Sequence, residues 1–186
     1  RYPQLFDALA RRLAHLPQPR ILSFGCSRGE EVRALRARLP NARITGIDAN
    51  PAAIRAARKA DGHALSRYVQ ATAPLPGERY DAVMALAVLR HGDLEAFAPE
   101  DCSAVMPFAR FAEAIAALDQ AVEPGGWLAV FNAHFRLADT PSAAAYEADP
   151  FRMTDHAAPD VIWGADNRRI HGAPYGEVLF RKRPVP

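Results

Sequence analysis

A glycine-flanked turn near the start of the chain combines residue types and spacing that could serve chemistry. Gly25 and Gly29 enclose three residues between a predicted strand and a predicted helix. Glycine lets the backbone adopt positive φ and approach a ligand closely, and a helix N-terminus offers free N–H groups to a carboxylate or a phosphate. Asp48 follows Gly25 by 23 residues, at the end of the next predicted strand. A carboxylate there can accept hydrogen bonds from both ribose hydroxyls, so this spacing indicates a nucleoside-containing cofactor.

The details of the turn distinguish two classes of cofactor. A dinucleotide site has the pattern G-x-G-x-x-G, but Ser27 and Glu30 stand at its second and third glycine positions. Glu30 would place a negative charge beside a negative pyrophosphate. A ligand with an amino group and a carboxylate fits better, and S-adenosylmethionine (SAM) has that composition. An NAD(P)-dependent oxidoreductase remains as a less favoured alternative.

Two histidines are candidates for a catalytic general base. His91 follows the fourth predicted strand, and His134 follows the fifth. Such a base is needed only where the acceptor is protonated at the working pH. The six histidines of the chain show no metal-ligand spacing, so we expect no metal site.

Strands alternate with helices along most of the chain. The opening helix carries an apolar stripe of Leu5, Leu9 and Leu13, and apolar runs bounded by glycine and proline predict strands. The predicted strands cover residues 20–24, 42–48, 65–70, 80–89 and 127–132. This order predicts an α/β fold with a doubly wound, mostly parallel Rossmann-like sheet and helices on both faces. The last fifty residues break the alternation and are predicted to hold a short helix within 141–149 and antiparallel C-terminal edge strands at 161–163 and 177–183.

The length of 186 residues predicts a single domain over residues 1–186. Two irregular segments, about 91–107 and 134–175, follow the fourth and fifth strands. They should therefore lie at the carboxyl edge of the sheet, where ligands of open α/β folds bind, and close over a substrate. Aromatic and arginine residues of the second segment suit an apolar or anionic small molecule, or else pack the segment onto the sheet. These residues are Phe135, Arg136, Tyr146, Phe151, Arg152 and Trp163.

Composition excludes several other classes of protein. The formal net charge of +2 argues against a nucleic-acid binder held by electrostatics. The longest apolar run, Ala82 to Leu89, is shorter than the ~20 residues of a membrane helix, so no membrane partner is expected. Two cysteines are too few for a disulfide framework and favour a cytoplasmic location. Nothing in the sequence indicates the oligomeric state.

Five segments, in order along residues 20–133, resemble the class I SAM-dependent methyltransferases. They are the glycine turn, the acidic loop, the loop after the third strand, the exit of the fourth strand and the turn into the fifth, at 21–29, 47–51, 69–76, 80–91 and 122–128. The variant Gly-Cys-Ser-x-Gly-Glu-Glu is similar to the first motif of the chemotaxis-receptor methyltransferases. An acid usually stands two residues before the first glycine, where this chain has Ser23. Glu30 or Glu31 is then expected to orient the methionine amino group.

The resemblance implies cofactor contacts from the methionine end to the adenine. The methionine part would be wrapped by Gly25, Cys26, Ser27 and Gly29. The ribose would be bound by Asp48 with Ala49 beside it. The adenine would be met by Thr72 and Ala73. The exit of the fourth strand would pass close to the cofactor at Val88 and Leu89.

These matches predict methyl transfer from SAM to a small-molecule acceptor by in-line displacement. The protein then mainly supplies orientation and electrostatics, because the cofactor carries the activated group. The alternative from a different class is a non-catalytic SAM-binding or partner subunit with the same fold. Ser23 and Thr72, which stand in place of the usual acids, keep that alternative open.

Overall fold

The structure, a computed structural model, describes residues 2–156, 161–172 and 176–184. Its first half alternates strands and helices as the sequence predicts. The elements are α1 (Pro3–Leu13), β1 (Arg20–Phe24), α2 (Glu30–Arg36), β2 (Arg43–Asp48), α3 (Pro51–Ala60), β3 (Ser66–Gln70) and β4 (Tyr80–Leu86). Local signals set two of these boundaries, since a proline begins both α1 and α3 and the Asn50 side chain caps the N–H groups of Ala52 and Ala53.

The second half contains two helices, one long strand and several short strands. Its elements are α4 (Gly92–Phe97), α5 (Phe108–Ala121), β5 (Val122–Phe131), β6 (Tyr146–Ala148), β7 (Ile162–Trp163), β8 (Arg169–Ile170) and β9 (Leu179–Lys182). Two 3₁₀ turns, Leu137–Asp139 and Pro141–Ala145, connect β5 to β6.

Seven of the nine described strands form one large sheet in the order β3-β2-β1-β4-β5-β9-β6, and β7 and β8 form a separate pair. Strands β1 to β5 are parallel, whereas β9 runs antiparallel to both β5 and β6. The strand order reverses direction between β1 and β4, which is where an open α/β sheet binds its ligand. The predicted doubly wound, mostly parallel fold is confirmed.

Helices cover both faces of this sheet. One face packs against α1, α2 and α3 through an apolar cluster that includes Leu9, Val32 and Ile54. The other face packs against α5 and α4 through Phe111, Ile115 and Leu94. The two layers hold the carboxyl edge of β1, β2 and β4 in a fixed arrangement, and the loops predicted to bind a cofactor extend from that edge.

The C-terminal strands differ in detail from the sequence prediction. The segment predicted at 177–183 forms β9, but β9 lies inside the sheet between β5 and β6. The outer strand is β6, which arises at the end of the predicted helix within 141–149. The predicted strand at 161–163 forms β7, which pairs with β8 apart from the main sheet. It lies there because Trp163 is fully buried and donates its indole N–H to the Pro99 carbonyl.

The ends of β4 and β5 also differ from the prediction. Strand β4 ends at Leu86 rather than at Leu89, because Ala87 has a φ of 56° and turns the chain out of the strand. Strand β5 begins at Val122, before the predicted Pro-Gly-Gly turn, and absorbs that turn as an irregularity in its pairing with β4. The early end of β4 directs Val88 toward the glycine turn.

Candidate functional site

The glycine turn is tightly constrained by its neighbours. Gly25 and Gly29 have φ values of 77° and 79°, in the left-handed region that favours glycine. A Cβ atom on Gly25 would lie 2.4 Å from Cγ2 of Val88, and one on Gly29 would lie 2.7 Å from the hydroxyl of Tyr68. The backbone N–H groups of Gly25 and Cys26 both donate to the Ile47 carbonyl. The turn is therefore fixed against β2 and the exit of β4.

Asp48 ties the first two loops together. One carboxylate oxygen accepts the N–H of Ser27 at 2.8 Å, and the other accepts the N–H of Asn50 at 2.8 Å. Capping of α3 falls to Asn50, so Asp48 is not simply a helix cap. An ionised carboxylate has about four acceptor positions, so each oxygen of Asp48 can still accept a second hydrogen bond.

A buried acid of α2 lies beside Ser23, the position at which the first motif usually has an acid. Glu31 is 5% exposed, and its Oε2 accepts a hydrogen bond from the Ser23 hydroxyl at 3.1 Å. Glu30, the other predicted substitute, is exposed. Of the two acids, only Glu31 is therefore buried and in contact with Ser23.

Cys26, which has Asp48 and Glu31 nearby, is not a nucleophile. It is 1% exposed, and burial, with Asp48 and Glu31 nearby, raises the pKa of its thiol to about 12. The thiolate is the reactive form of cysteine, so a neutral thiol at this position serves packing. Its Sγ is close enough to β2 that a Cβ atom on Gly46 would lie 2.8 Å from it.

A cavity of about 320 Å³ opens where the loops converge. This volume is at the lower end of the range of small-molecule sites. Six of the predicted cofactor residues line it, namely Gly25, Asp48, Ala49, Thr72, Val88 and Leu89. Four further residues complete the wall, namely Phe24, Ile47, Ala71 and Ala114. Most of the wall is apolar, with Asp48 and Thr72 as its polar side chains.

The other four predicted cofactor residues lie outside this lining. Cys26 and Gly29 are buried behind the turn, and Ser27 contributes its N–H to Asp48. Ala73 faces a separate groove with Leu75. Among the lining residues that sequence reasoning missed, Phe24, Ile47 and Ala71 adjoin predicted loops. Ala114 comes from α5, which packs across the sheet, and no local signal identifies it.

The two candidate bases have different environments. His91 is half-exposed, and its Nδ1 accepts the Asp93 N–H as the cap of α4. His134 is 3% exposed, with Nε2 3.1 Å from the His91 carbonyl and Nδ1 3.3 Å from the Val161 carbonyl. A neutral imidazole can donate to only one of these oxygens. The contacts of His134 join the exit of β4 to β7.

A second, larger cavity of about 480 Å³ lies toward β9 and β6. Arg136 and Arg152 line it with Asp139 and Glu177, and Arg136 forms a two-point ion pair with Asp139. Each alternative that the sequence left open for this segment applies to some of its residues. Phe135, Tyr146 and Trp163 are buried in the core and pack the segment onto the sheet, whereas Arg136 and Arg152 line the cavity. Parts of the predicted segment 134–175 lie outside the described residues.

The described part of the chain holds no group of histidine, cysteine and carboxylate side chains that could bind a metal ion. Within the same residues, no helix is long and apolar enough to cross a membrane.

Solved structures with the same fold include proteins of several activities. A coclaurine N-methyltransferase is 14% identical, with a TM-score of 0.51, over 67% of this chain and 34% of its own. The cyclopropane synthase MmaA2 from Mycobacterium tuberculosis is 18% identical, with a TM-score of 0.51, over 67% of this chain and 40% of its own. The [4+2]-cyclase SpnF is 23% identical, with a TM-score of 0.51, over 69% of this chain and 43% of its own. The chain thus spans less than half the length of each protein, and the likeness is one of fold.

Sequence comparison gives the family directly. No curated protein matches the chain. The sequence profile described as a methyltransferase domain matches residues 22–128, which run from within β1 to within β5 and include every residue that lines the cavity of about 320 Å³. The profile covers more than half of the chain and agrees with the resemblance seen in the sequence motifs. The chain therefore belongs to the methyltransferase domain family, within the class I SAM-dependent fold.

Proposed function

We propose that the protein transfers a methyl group from SAM to a small-molecule acceptor by in-line displacement. The observation that carries this proposal is the convergence of Gly25, Asp48 and Thr72 on one largely apolar cavity. The buried carboxylate of Glu31 adds an acidic group behind the glycine turn. This arrangement matches a ligand with an adenosine at one end and an ammonium group at the other.

Each part of the cavity has a separate task in binding. The free acceptor positions of Asp48 suit the two ribose hydroxyls. The walls formed by Ile47, Leu89 and Ala114 suit the two faces of a purine ring. Glu31 and the Ser23 hydroxyl supply oxygen atoms for an ammonium group. The absence of a side chain on Gly25 makes room for Val88, and both residues line the cavity.

The chemistry of the step determines what the protein must contribute. Bound SAM supplies a methyl group that is already activated as a sulfonium. The protein residues hold the reacting atoms in line and exclude water, and such alignment corresponds to about 7–11 kcal/mol of barrier. His91, half-exposed at the exit of β4, is the candidate to take a proton from an acceptor that needs deprotonation. His134 is assigned a positioning role, because both of its ring nitrogens contact carbonyl groups.

The cavity beside β9 is the proposed space for the acceptor. It lies at the end of the sheet from which the cofactor loops extend, since residues 136–139 follow the carboxyl end of β5. Its volume of about 480 Å³ suits a small molecule. Its lining combines the apolar side chains of Leu137, Ala138 and Phe180 with charged groups of both signs.

The test of the proposed function is a calorimetric titration with SAM and, separately, with NADH. We expect binding of SAM alone and loss of that binding in Asp48→Asn. Glu113→Gln is the matched control, because Glu113 is an exposed carboxylate on α5 outside the cavity. Binding of NADH in place of SAM would favour an oxidoreductase. SAM binding without methyl transfer to any member of a broad panel of acceptors would favour a non-catalytic subunit.

A further inference from the structure

Positive charge is concentrated in the first part of the chain. Residues 1–80 contain fourteen lysines and arginines against six carboxylates, whereas residues 81–186 contain nine against fifteen. The first part forms α1 to α3 and the strands β1, β2 and β3, which occupy one side of the sheet. The small overall charge therefore conceals a strong separation of charge within the fold, of the kind that attracts anionic ligands to one side.

Three of these arginines surround a cavity at the amino edge of the sheet. Arg20 and Arg43 are the first residues of β1 and β2, and Arg67 is the second residue of β3. They line a cavity of about 340 Å³ together with Glu78 and Tyr80. The cofactor loops extend from the opposite, carboxyl edge, so this cavity is separate from the proposed methyl-transfer site.

The cavity is open because no helix covers this part of the sheet. Residues 71–79, which join β3 to β4, are all described and form no helix. Leu22 faces the α5 side, and its register partner Thr45 shares that face. Arg43 lies two residues before Thr45 on the same strand and therefore points to the same side. Arg67 is the register partner of Thr45 on β3 and shares that side. Helix α5 packs against β4 and β5 and leaves this corner free.

The arrangement places like charges side by side. Arg20 and Arg43 are register partners on neighbouring strands, and like charges in directly opposed positions destabilise a sheet. Glu78 is the only carboxylate among the residues that line the cavity, and it accepts hydrogen bonds from Arg67 at 2.8 Å and from the Tyr80 hydroxyl at 2.6 Å. The lining thus carries three cations against one anion.

The guanidinium groups of Arg20 and Arg43 are held in place by protein contacts, but most of their N–H donors are not used in hydrogen bonds within the described residues. Nε of Arg43 donates to the Gln18 side chain at 2.6 Å, and the Arg20 guanidinium lies over the Tyr80 ring at 5.6 Å. Within the described residues, the terminal nitrogens of Arg43 and the whole guanidinium of Arg20 have no hydrogen-bond acceptor in the protein. Each arginine offers five N–H donors, and the pair is therefore ready to bind an oxyanion at two points.

We propose that this arginine cavity binds the phosphate or pyrophosphate group of a small phosphorylated molecule, at a site distinct from that of methyl transfer. Planar guanidinium groups recognise phosphate through paired hydrogen bonds, and Arg20 and Arg43 lie on adjacent strands where one group can bridge them. The volume of about 340 Å³ exceeds that of a single ion and accommodates the rest of a small molecule against Tyr80.

The test is a calorimetric titration of the full chain with inorganic pyrophosphate, with inorganic phosphate and with a short single-stranded oligonucleotide. Pyrophosphate should bind, and the double variant Arg20→Gln/Arg43→Gln should weaken that binding by about tenfold or more, since it removes hydrogen bonds to a charged group. Arg11→Gln/Arg55→Gln is the matched control, because both arginines are exposed and belong to the same basic part of the chain. The control should bind pyrophosphate like the original protein.

A parallel titration with SAM separates this proposal from the proposed function. Both double variants should keep the SAM affinity of the original protein, whether or not methyl transfer is detected. The proposal is overturned if pyrophosphate does not bind, if both double variants weaken it equally, or if SAM displaces it. Tighter binding of the oligonucleotide through the same two arginines would overturn it in favour of a nucleic-acid surface. Phosphate binding as tightly as pyrophosphate would assign a single phosphate group as the recognised chemistry.

Discussion

The Ser23 hydroxyl donates a hydrogen bond to the carboxylate of Glu31 across 3.1 Å in the buried layer between β1 and α2. Methyltransferases of this fold usually carry an acid at the position of Ser23. In this chain the acid has moved one layer away, from the strand to the helix that follows the glycine turn. A carboxyl group therefore remains beside the turn although the strand residue is a serine.

This relationship predicts that Glu31→Gln weakens SAM binding while Glu30→Gln does not. Glu31 is 5% exposed and accepts a hydrogen bond from Ser23, whereas Glu30 is exposed. Removing a hydrogen bond to a charged group costs about 1.5–3 kcal/mol, which corresponds to an affinity loss of about 10- to 100-fold. Calorimetry with SAM measures both variants. Equal affinities for the two variants would show that Glu31 serves only the packing of α2.

Gly25→Ala should damage both the fold and the site. Its φ of 77° disfavours any side chain by about 1–2 kcal/mol, and the new Cβ would lie 2.4 Å from Val88 Cγ2. Gly62→Ala is the control, since nothing lies within 4 Å of a Cβ atom there. Urea unfolding should show a loss of at least about 1 kcal/mol for Gly25→Ala and little change for Gly62→Ala. A Gly25→Ala protein of unchanged stability would mean that the turn can rearrange.

Both cysteines should resist thiol reagents in the folded protein. Burial raises the pKa of Cys26 to about 12 and that of Cys102 to about 11, and both side chains are buried. The thiolate fraction at pH 8 is therefore very small, and reaction with a chromogenic disulfide should be slow until the protein is unfolded in urea. The unfolded chain should then titrate as two thiols. Rapid reaction of one thiol in the native state would show that the turn around Cys26 opens.

Substitution of His134 should lower the stability of the protein more than substitution of His91. His134→Ala removes a buried ring that contacts two backbone carbonyls, and we expect a loss of about 2–3 kcal/mol in urea unfolding. His91→Ala removes a half-exposed helix cap and should cost about 1 kcal/mol. Once an acceptor is known, the pH profile of methyl transfer should change in His91→Ala. An altered profile in His134→Gln, with His91 intact, would contradict the positioning role of His134.

The Arg12–Asp149 ion pair predicts a pH dependence of stability. Burial alone would raise the pKa of Asp149, but hydrogen bonds from Arg12 and from the Phe151 N–H outweigh it, so the pKa lies below its usual value. A group with a lowered pKa in the folded state stabilises the protein above the unfolded value of about 3.9 and loses that contribution as the pH falls through the folded value. The contribution at neutral pH should be about 2 kcal/mol.

The measurement is urea unfolding between pH 7 and pH 3. The difference in stability between the original chain and Asp149→Asn should be full above about pH 5 and should shrink below about pH 4. Glu113→Gln serves as the control, because Glu113 is exposed on α5. A constant difference over the whole range would show that Asp149 acts through packing and not through its charge.

Local patterns in the sequence determined the fold class and identified most of the loops that line the cavity of about 320 Å³. Apolar runs, prolines at helix starts and glycines with positive φ act within a few residues, and the carboxyl ends of parallel strands must meet at one edge of the sheet. For that reason the sequence alone predicts that the loops carrying Gly25, Asp48, Thr72 and Leu89 lie together at one edge. Their convergence is confirmed.

Only the tertiary structure decided which groups face one another across layers. The hydrogen bond from Ser23 to Glu31, the wall formed by Ala114 and the enclosure of His134 all join elements that pack face to face. The same holds for β9, whose place between β5 and β6 depends on pairing between residues far apart in the chain. Such contacts depend on how whole elements pack. The periodicity of a single segment predicts which of its faces is buried, but it does not predict which other element covers that face.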